Sequence, residues 1–525
     1  MNPKDTAQQE DMAIRRRVPR LRRLLLGVLI ALGAIAMGFA WIVASPPGGG
    51  PDDDLHQTSI WCPKPGANGC QIVGYTDTLG DAHHPIVEVP ARIPQVKCFA
   101  FQSEQSAACL NDVPADAMAE SSQVNTTRYP GEYYMVMHVF ASSSPSELGA
   151  MDLMVRSANA LIAALFFGML AWLLPWSMRR LLTYVMVGFS VPLVIYMLTS
   201  INPSAWAIIG VISAWFALTG LFATKTIPVA PWRRRVLAGV AVAAVCLAAM
   251  ARTDAATYCF VAVLAVGAAH FQELRPSRWR ANRLIWVTMV VVSVIGIVGT
   301  FGGSQTSGIV GLSGSNPGGF GLLVTNVAQL PDLIAGFWTG NLGWFDVPLK
   351  PVTTLVSLAV GVGLLFGGLR RMHWTKGLAA GGVAVILAAL PIFTLQMTGS
   401  VVGSSFQPRY LAPLMLMLAA IMISRARRDG AAAWSVTQTW VVYASLTLAH
   451  AVALRDIIRR YVVGTDGPQL NLNGVIEWWR AGLPSPLAVW AIGSVGFACL
   501  ALLLFVVRRN GNGIGITDLN GSRDE

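Results

Sequence analysis

Charged residues are scarce in this sequence of 525 residues. They make up 12% of the chain, against about 25% in an average soluble domain. Hydrophobic residues make up 54%, and the mean hydropathy is +0.55. This balance excludes a soluble globular enzyme, a disordered tail and a collagen-like fibre. It predicts an integral membrane protein with several spans.

Common catalytic motifs are also missing. The sequence contains no HExxH, GxSxG or paired CxxC, and its glycine-rich stretch at 301–321 lacks the Lys-Ser/Thr of a phosphate loop. The net charge is +11, but the basic residues are not interleaved with aromatic ones as on a surface that binds nucleic acid. The excess therefore predicts the basic cytoplasmic loops of a membrane protein and no nucleic-acid partner.

Twelve apolar segments are near the roughly 20 residues that a helix needs to cross a bilayer. They lie at 24–45, 153–175, 181–200, 205–223, 236–252, 256–272, 284–302, 351–369, 377–396, 410–424, 434–453 and 486–507. If the N-terminus is cytoplasmic, the arginine-rich connections between them all fall on one side. The sequence thus predicts an all-α polytopic protein with both termini in the cytoplasm. A cleaved signal peptide is the alternative for the first segment.

These segments divide the chain into seven parts. They are a basic cytoplasmic N-terminus at 1–23, a first span at 24–45, an outer loop at 46–150, spans two to seven within 151–302, a second outer loop at 303–350, spans eight to twelve within 351–507, and a cytoplasmic tail at 508–525.

Two stretches are less regular. The apolar stretch 319–338 contains Asn326 and Asp332, and counting it as a span would invert every later basic cluster. We therefore expect a re-entrant or interfacial helix within 303–350. The outer loop 455–483 contains Arg455, Arg459, Arg460 and Trp478-Trp479, which predict helices lying on the outer surface.

Four of the seven cysteines fall in the first outer loop. Cysteines in an exported loop favour two disulfides, and four cysteines allow three pairings. We favour Cys62–Cys70 and Cys98–Cys109 because both close short loops. The alternative is free thiols in a reducing compartment.

The densest polar motif is Pro51-Asp52-Asp53-Asp54-Leu55-His56, just after the first span. Three carboxylates and an imidazole can supply a general base or the ligands of a hard cation. The motif follows a Pro-Pro-Gly-Gly-Gly turn, so its backbone can approach a ligand closely. The alternative is a solvated acidic turn, because Asp, Gly and Pro are ordinary loop residues.

Other polar residues lie near the same predicted membrane face. They are Arg156 in the second span, Asn202 after the third, Arg252 and Asp254 at the end of the fifth, and Arg409 at the start of the tenth. Charges near hydrocarbon usually face the bundle interior, and guanidinium groups bind phosphate oxygens in a fork. The arginines therefore predict a site for a lipid-linked phosphate. The alternatives are an Arg252–Asp254 ion pair and an Arg409 side chain that extends to lipid headgroups.

The stretch from Ser45 to Cys62 resembles the first outer loop of family 2142 of domains of unknown function, a family of bacterial membrane proteins common in actinobacteria. Four later features resemble the family pattern in order. They are Tyr129-Pro130-Gly131-Glu132-Tyr133-Tyr134, Arg156, Asn202-Pro203-Ser204 and Gln407-Pro408-Arg409-Tyr410-Leu411. Tyr129 stands where the family usually has histidine, and Pro408 where it has glycine. The resemblance covers about 24–505.

The resemblance implies a GT-C-like fold, since the family is grouped with the GT-C membrane glycosyltransferases, and a bacterial inner-membrane location. Those enzymes use polyprenyl-phosphate sugars at the outer face. The implied catalytic residues are Asp53, Asp54 and His56, with Asp53 and Asp54 as candidate ligands of Mg²⁺ or Mn²⁺. The candidate substrate-binding residues are Asp52, Glu132, Arg156, Asn202, Arg252, Asp254, Trp344, Arg409 and Tyr410.

Three functions remain open at the level of sequence. The first is an outer-face glycosyltransferase that passes a sugar from a polyprenyl-phosphate donor to a cell-envelope glycan or lipid. The second is a transporter or flippase for a lipid-linked saccharide, which would need polar residues at mid-membrane depth. The third is a non-catalytic scaffold whose disulfide-linked loop binds a partner.

Overall fold

The computed structural model describes residues 3–509, apart from 68–69, 79–80, 142–143, 227–228, 303–317, 371, 405, 426–427, 432 and 468–469. Within these residues, ten helices are long and apolar enough to cross a membrane. The qualifying stretches are Leu24–Val43, Pro145–Leu173, Ser204–Lys225, Pro231–Ala251, Arg280–Phe301, Phe320–Thr339, Pro351–Leu369, Trp374–Met397, Val436–Val463 and Pro486–Arg508. The prediction of a helical membrane protein is therefore confirmed, and the count of twelve spans is not reproduced.

Two predicted spans are helices of fewer than 18 residues. They are α9 (Thr253–Ala269, 17 residues) and α14 (Pro408–Ile423, 16 residues). Both begin close to the predicted polar site, because Arg252 directly precedes the first and Arg409 is the second residue of the other. Each of these short helices therefore begins at a residue of the predicted site.

The predicted span at 181–200 is not one continuous helix. It consists of α5 (Trp176–Met186) and α6 (Pro192–Leu198), separated by 187–191. Proline has no backbone N–H to continue a helix through position 192. Every residue of α6 is buried, so the break lies inside the bundle, where neighbouring helices can satisfy freed backbone groups. His450 provides one such contact, with Nε2 donating to the carbonyl oxygen of Ser190 at 3.3 Å.

Helix α7 (Ser204–Thr226) lies at the centre of the bundle. All of its most apolar 18-residue window is buried. Its neighbour α8 (Pro231–Ala251) comes so close that a Cβ atom on Gly210 would lie 2.5 Å from the carbonyl oxygen of Ala244. Small residues permit this backbone approach, as in other membrane bundles.

The remaining helices follow the same chain order. They are α1 (Pro3–Val43), α4 (Leu148–Leu173), α10 (Arg283–Phe301), α11 (Phe320–Thr339), α12 (Pro351–Leu369), α13 (Trp374–Met397), α15 (Val436–Val463), α16 (Pro486–Ala501) and α17 (Leu503–Arg509). A two-stranded pair, β4 (Ser424–Arg425) and β5 (Arg428–Ala431), follows α14.

The region between α1 and α4 folds over one face of the bundle, which we call the loop face. It contains helices α2 (Asp53–Trp61) and α3 (Glu132–Met137). It also contains an antiparallel sheet with the order β1 (Ile72–Thr78), β2 (Asp81–Pro90), β3 (Met118–Ser121). Both favoured disulfides, Cys62–Cys70 and Cys98–Cys109, are present, with Cα atoms 5.4 and 6.4 Å apart. The predicted pairing is confirmed.

Both ends of α11 contact the loop face. The backbone N–H of Gly318 donates to the carbonyl of Gln396 at the end of α13 (2.9 Å), and Gly336 packs against Pro408 at the start of α14. The opposite ends of α13 and α14 meet at Lys376, which donates to the carbonyl of Met422 at 2.7 Å. The re-entrant or interfacial helix expected within 303–350 stays a prediction, because 303–317 lie outside the described residues.

The structure corrects the expectation of separate surface helices at 455–483. Residues 455–463 continue α15, and the described residues of 464–485 form turns and extended segments. The arginines there bind protein groups rather than a lipid surface. Arg460 is fully buried and donates to Asp346 at 2.6 Å and to the carbonyl of Phe99 at 2.7 Å.

Candidate functional site

The turn at 45–51, between α1 and α2, is held by side chains from distant parts of the chain. The carbonyl of Gly49 accepts hydrogen bonds from the hydroxyls of Tyr196 (2.9 Å) and Tyr461 (2.5 Å). The carbonyl of Gly48 accepts one from the Trp344 indole at 2.7 Å. Gly48 has a φ of +76°, which favours glycine. The glycine-rich turn is therefore a rigid part of the loop face.

Arg156 lies beneath this turn and is 1% exposed. Its guanidinium donates to the carbonyls of Ile42 (3.0 Å) and Pro46 (2.8 Å). It also lies 3.0 Å from a carboxylate oxygen of Asp152 and 3.6 Å from one of Asp53. The predicted phosphate-binding residue Arg156 is thus occupied by groups of its own chain, and the geometry gives it a positioning role.

Asp53 is fully buried beside Arg156. Its Oδ2 accepts a hydrogen bond from the backbone N–H of Gly50 at 2.7 Å. Burial raises the pKa of Asp53 to about 7, against the opposing attraction of Arg156. The Asp53 carboxylate is therefore enclosed by protein, where it binds the glycine turn through Oδ2. Its catalytic role stays a prediction.

His56 is also fully buried. Its Nε2 lies 3.1 Å from the amide nitrogen of Asn202, and its Nδ1 lies 3.0 Å from the hydroxyl of Tyr134. The Asn202 amide oxygen accepts from the backbone N–H of Ser204, which fixes its amide nitrogen as the donor to His56. Burial lowers the pKa of His56 to about 3. His56 is therefore a neutral link between α2, α3 and the start of α7.

The three consecutive carboxylates point to three different partners. Asp52 forms an ion pair with Arg409 (2.5 Å), Asp53 faces Arg156, and Asp54 accepts from the backbone N–H of Leu55 at 2.8 Å. Among the described residues, no three His, Cys, Asp or Glu side chains converge as metal ligands. The guanidinium of Arg156 lies 3.6 Å from a carboxylate oxygen of Asp53. Because this positive charge is already beside Asp53, a divalent cation held by Asp53 and Asp54 does not fit this arrangement.

Arg252, Arg409 and Tyr410 form a second cluster, which we call the arginine cluster. The Arg252 guanidinium carbon lies 4.0 Å from the centre of the Tyr410 ring, and that of Arg409 lies 4.9 Å from it. Arg252 also forms the ion pair with Asp254 that is the alternative to a phosphate-binding role, with two hydrogen bonds of 2.8 Å. Arg409 and Tyr410 are adjacent in the sequence, and Arg252 lies 158 positions before Tyr410.

Several donors of the arginine cluster are unused. Arg252 and Arg409 are 4% and 3% exposed. Nη1 of Arg252 and both Nε and Nη1 of Arg409 are buried without a hydrogen-bond partner in the part of the chain that the structure describes. Unpaired buried donors are costly, and guanidinium donors suit phosphate oxygens. The cluster can therefore accept an anionic group.

A cavity of about 230 Å³ opens beside Arg409. Its wall includes Pro51, next to Asp52, together with Tyr196, Phe345 and Gln407. The side chain of Asp52 is 38% exposed, and its partner Arg409 lines this cavity. The cavity thus joins the acidic motif to the arginine cluster.

One family model matches most of the chain. The model of DUF2142, described as a predicted membrane protein, matches residues 35–418. The chain belongs to DUF2142. The DUF2142 match contains the acidic motif, Arg156, Asn202 and the arginine cluster. Neither the curated proteins nor the solved structures gave a match.

The remaining predicted residues of this DUF2142 protein lie apart from the cavity wall. Glu132 is exposed on the first turn of α3. Trp344 is buried and binds the glycine turn. Asn202 is buried between His56 and the carbonyl of Pro51, to which it donates at 3.1 Å.

Sequence reasoning missed four charged residues that hold the site. Asp152 forms ion pairs with Arg156 and with Arg480, and Asp346 pairs with Arg460. The Asp152–Arg156 spacing of four residues could have been recognised, since such pairs face each other on a helix. The other two pairs join residues more than 100 positions apart, and no local pattern marks them.

Proposed function

We propose that this protein is a membrane glycosyltransferase that uses a polyprenyl-phosphate sugar at the loop face, turned to the cell exterior, for cell-envelope glycan or glycolipid assembly. The observation that carries the proposal is the Asp52–Arg409 pair at the cavity. It places an accessible carboxylate beside a buried guanidinium with two unused donors. A base and a phosphate-binding cation are the two groups that such a transfer needs.

In this reaction a hydroxyl of the acceptor attacks the anomeric carbon of the donor sugar. Asp52 takes the hydroxyl proton, and a new glycosidic C–O bond forms. The bond between the anomeric carbon and the phosphate oxygen breaks, and the polyprenyl phosphate leaves with that electron pair. Arg409 and Arg252 stabilise the charge on the leaving phosphate. Attack opposite the leaving group inverts the anomeric centre.

The ion pair itself suggests how the base is released. The guanidinium of Arg409 forms an ion pair with Asp52 at 2.5 Å. Nη2 of Arg409 binds Asp52, and the unpaired Nη1 lies on the same edge of the guanidinium. A phosphate that binds Nη1 and Nη2 together as a fork would displace the carboxylate from Nη2. Asp52 would then be free to accept a proton. Asp54 remains a second candidate base, and burial raises its pKa.

A flippase for a lipid-linked saccharide is the second candidate. The observation that favours it is the broken segment between α5 and α6, since interrupted helices inside a bundle often form transport sites. A vesicle assay that follows a fluorescent polyprenyl-phosphate sugar across the bilayer separates the two functions, because the transferase alone gives no translocation.

The proposal is tested in a deletion strain by mass-spectrometric profiling of envelope glycans and glycolipids. We expect one glycan to be lost on deletion and restored by the wild type, but not by Asp52→Asn or Arg409→Lys. Asp116→Asn is the matched control, since Asp116 is exposed in the same loop region, and it should restore the glycan fully.

Membrane levels of each variant are measured alongside. Full restoration by Asp52→Asn at normal protein level would remove Asp52 as the base. Unchanged glycans in the deletion strain under every growth condition would contradict the transferase itself.

A further inference from the structure

Helix α11 contributes one charged residue to the cavity. Its sequence, from Phe320 to Thr339, contains a single ionisable side chain, Asp332. Asp332 is exposed and lines the cavity. No hydrogen bond or ion pair joins it to another of the described residues. A charged side chain on an apolar membrane helix usually faces a polar cavity and often marks a substrate site.

Two further polar side chains reach the same cavity. Nδ2 of Asn341 donates to the carbonyl of Phe345 at 2.9 Å, and Nε2 of Gln407 donates to the carbonyl of Gly403 at 3.1 Å. Each amide therefore uses its nitrogen within the protein and keeps its oxygen as an acceptor. Together with Asp332 they give the wall three groups that accept hydrogen bonds.

The cavity is thus chemically two-sided. Arg409 lines one side, and its Nε and Nη1 have no partner among the described residues. Asp332, Asn341 and Gln407 also line the cavity and supply acceptors for hydroxyl groups. The ring of Phe345 also lines the space. A volume of about 230 Å³ is below the roughly 300–1,000 Å³ typical of pockets for drug-sized ligands, so it suits a small headgroup rather than a whole lipid.

We propose that Asp332 is a substrate-binding residue that accepts hydrogen bonds from the hydroxyls of a sugar whose phosphate binds Arg409. The inference rests on the proposed function, which supplies the sugar phosphate, and it assigns to α11 the recognition of the saccharide. A carboxylate that accepts from two neighbouring hydroxyls discriminates a sugar from a bare phosphate, because the bare phosphate has no donor to offer it.

Binding is measured by calorimetry on the purified full-length protein in lipid nanodiscs. The probes are glucosyl, mannosyl, galactosyl and arabinosyl polyprenyl phosphates, with sugar-free polyprenyl phosphate as the comparison. We expect Asp332→Asn to weaken the best glycosylated probe about 10-fold, the range expected when a hydrogen bond to a charged group is lost. It should leave the sugar-free lipid within about twofold.

Two further variants separate the subsites. Arg409→Lys should weaken both kinds of lipid, since both carry the phosphate. Asp116→Asn, an exposed carboxylate away from the cavity, should weaken neither. Asp332 is exposed and asparagine has nearly the same shape, so the thermal midpoint of Asp332→Asn should match that of the wild type.

The proposal is overturned if Asp332→Asn binds every glycosylated probe as the wild type does, or if none of them binds more tightly than the sugar-free lipid. Because binding needs no transfer, the outcome is independent of the glycan profile. If binding is selective and depends on Asp332, but the glycans of the deletion strain are unchanged, only the transferase is contradicted. If the glycans depend on Asp52, but Asp332→Asn binds the glycosylated probes as the wild type does, only this subsite is contradicted.

Discussion

At the scale of single residues, the charges below the glycine turn balance one another. Arg156 and Arg480 face Asp152, and Arg156 also faces Asp53. Two guanidinium groups and two carboxylates therefore share one buried space. Removing one member of such a group leaves an unpaired charge, which is strongly destabilising in a protein interior. In the structure, Arg156 and Asp53 of the predicted site therefore contact each other and the glycine turn.

The raised pKa of Asp53 predicts a dependence of stability on pH. Below its ordinary pKa of 3.8 the carboxyl is protonated in both the folded and the unfolded chain. Between that value and the folded-state pKa of about 7, only the unfolded chain has lost the proton. The free energy of unfolding therefore falls as the pH rises through this window, by on the order of 4 kcal/mol. Asp53→Asn should remove this fall.

The measurement is the thermal midpoint of both proteins between pH 4 and pH 8 in nanodiscs. His56 acts in the opposite direction, because its pKa of about 3 lies below the ordinary 6.5, so stability decreases as the pH falls through that range. Both proteins keep His56, and its contribution cancels in their difference. Parallel curves for wild type and Asp53→Asn would show that Asp53 does not titrate in this window.

At the scale of elements, the Cys98–Cys109 disulfide supports the site through α15. Arg460 of α15 donates to the carbonyls of Phe99 and Gln105, both inside the disulfide loop. The same guanidinium binds Asp346, whose carboxylate accepts from the backbone N–H of Trp344 at 3.1 Å. Trp344 in turn binds the glycine turn. The disulfide loop, α15 and the loop after α11 therefore form one connected support.

Loss of this disulfide should lower stability without abolishing the fold. For a closed loop with a sequence separation of 11, the loop-closure entropy corresponds to about 3 kcal/mol. We expect the Cys98→Ser/Cys109→Ser variant to unfold at a clearly lower temperature than the wild type. Cys246→Ser is the control, since Cys246 is a free thiol in α8. Equal midpoints for the wild type and the double variant would contradict a stabilising disulfide.

At the scale of the whole molecule, two faces of the bundle are distinguished by their contacts. The loop face carries the glycine turn, the arginine cluster and both ends of α11. The opposite face carries the Lys225–Glu273 ion pair at 3.2 Å. It also carries Lys376 at the start of α13, which donates to the carbonyl of Met422 at the end of α14. The candidate site therefore lies on one side of the bundle, with α11 beside it.

The arrangement predicts that both flanks of α11 are accessible from the same side of the membrane. After the three free cysteines are replaced by serine, we expect Gly319→Cys and Pro348→Cys to react with a membrane-impermeant maleimide on intact cells. A Cβ atom on Gly319 meets open space, and Pro348 is exposed. Arg278→Cys, in the exposed connection near Glu273, should react only after permeabilisation. Labelling of one α11 flank only would mean that α11 crosses the membrane.

Much of the fold could be predicted from local sequence patterns. Long apolar runs predict spans because a helix satisfies its own backbone in lipid. Short loops between cysteines favoured the two disulfides that are present. The break at 187–191 was not predicted, because a buried apolar segment has the same composition whether or not its helix is continuous. The accessibility of each carboxylate could not be predicted either, because adjacent aspartates have the same composition whether they are buried or exposed.

The sequence by itself determined that this is a polytopic membrane protein of DUF2142 with an acidic motif beside its first span. Only the tertiary structure decided which acidic residue is available. Asp52, Asp53 and Asp54 are adjacent and chemically alike, but Asp53 is enclosed with Arg156 while Asp52 meets Arg409 at a cavity. The three aspartates differ in their burial and in their ion-pair partners. The partners Arg156 and Arg409 lie about 100 and 357 positions away in the chain.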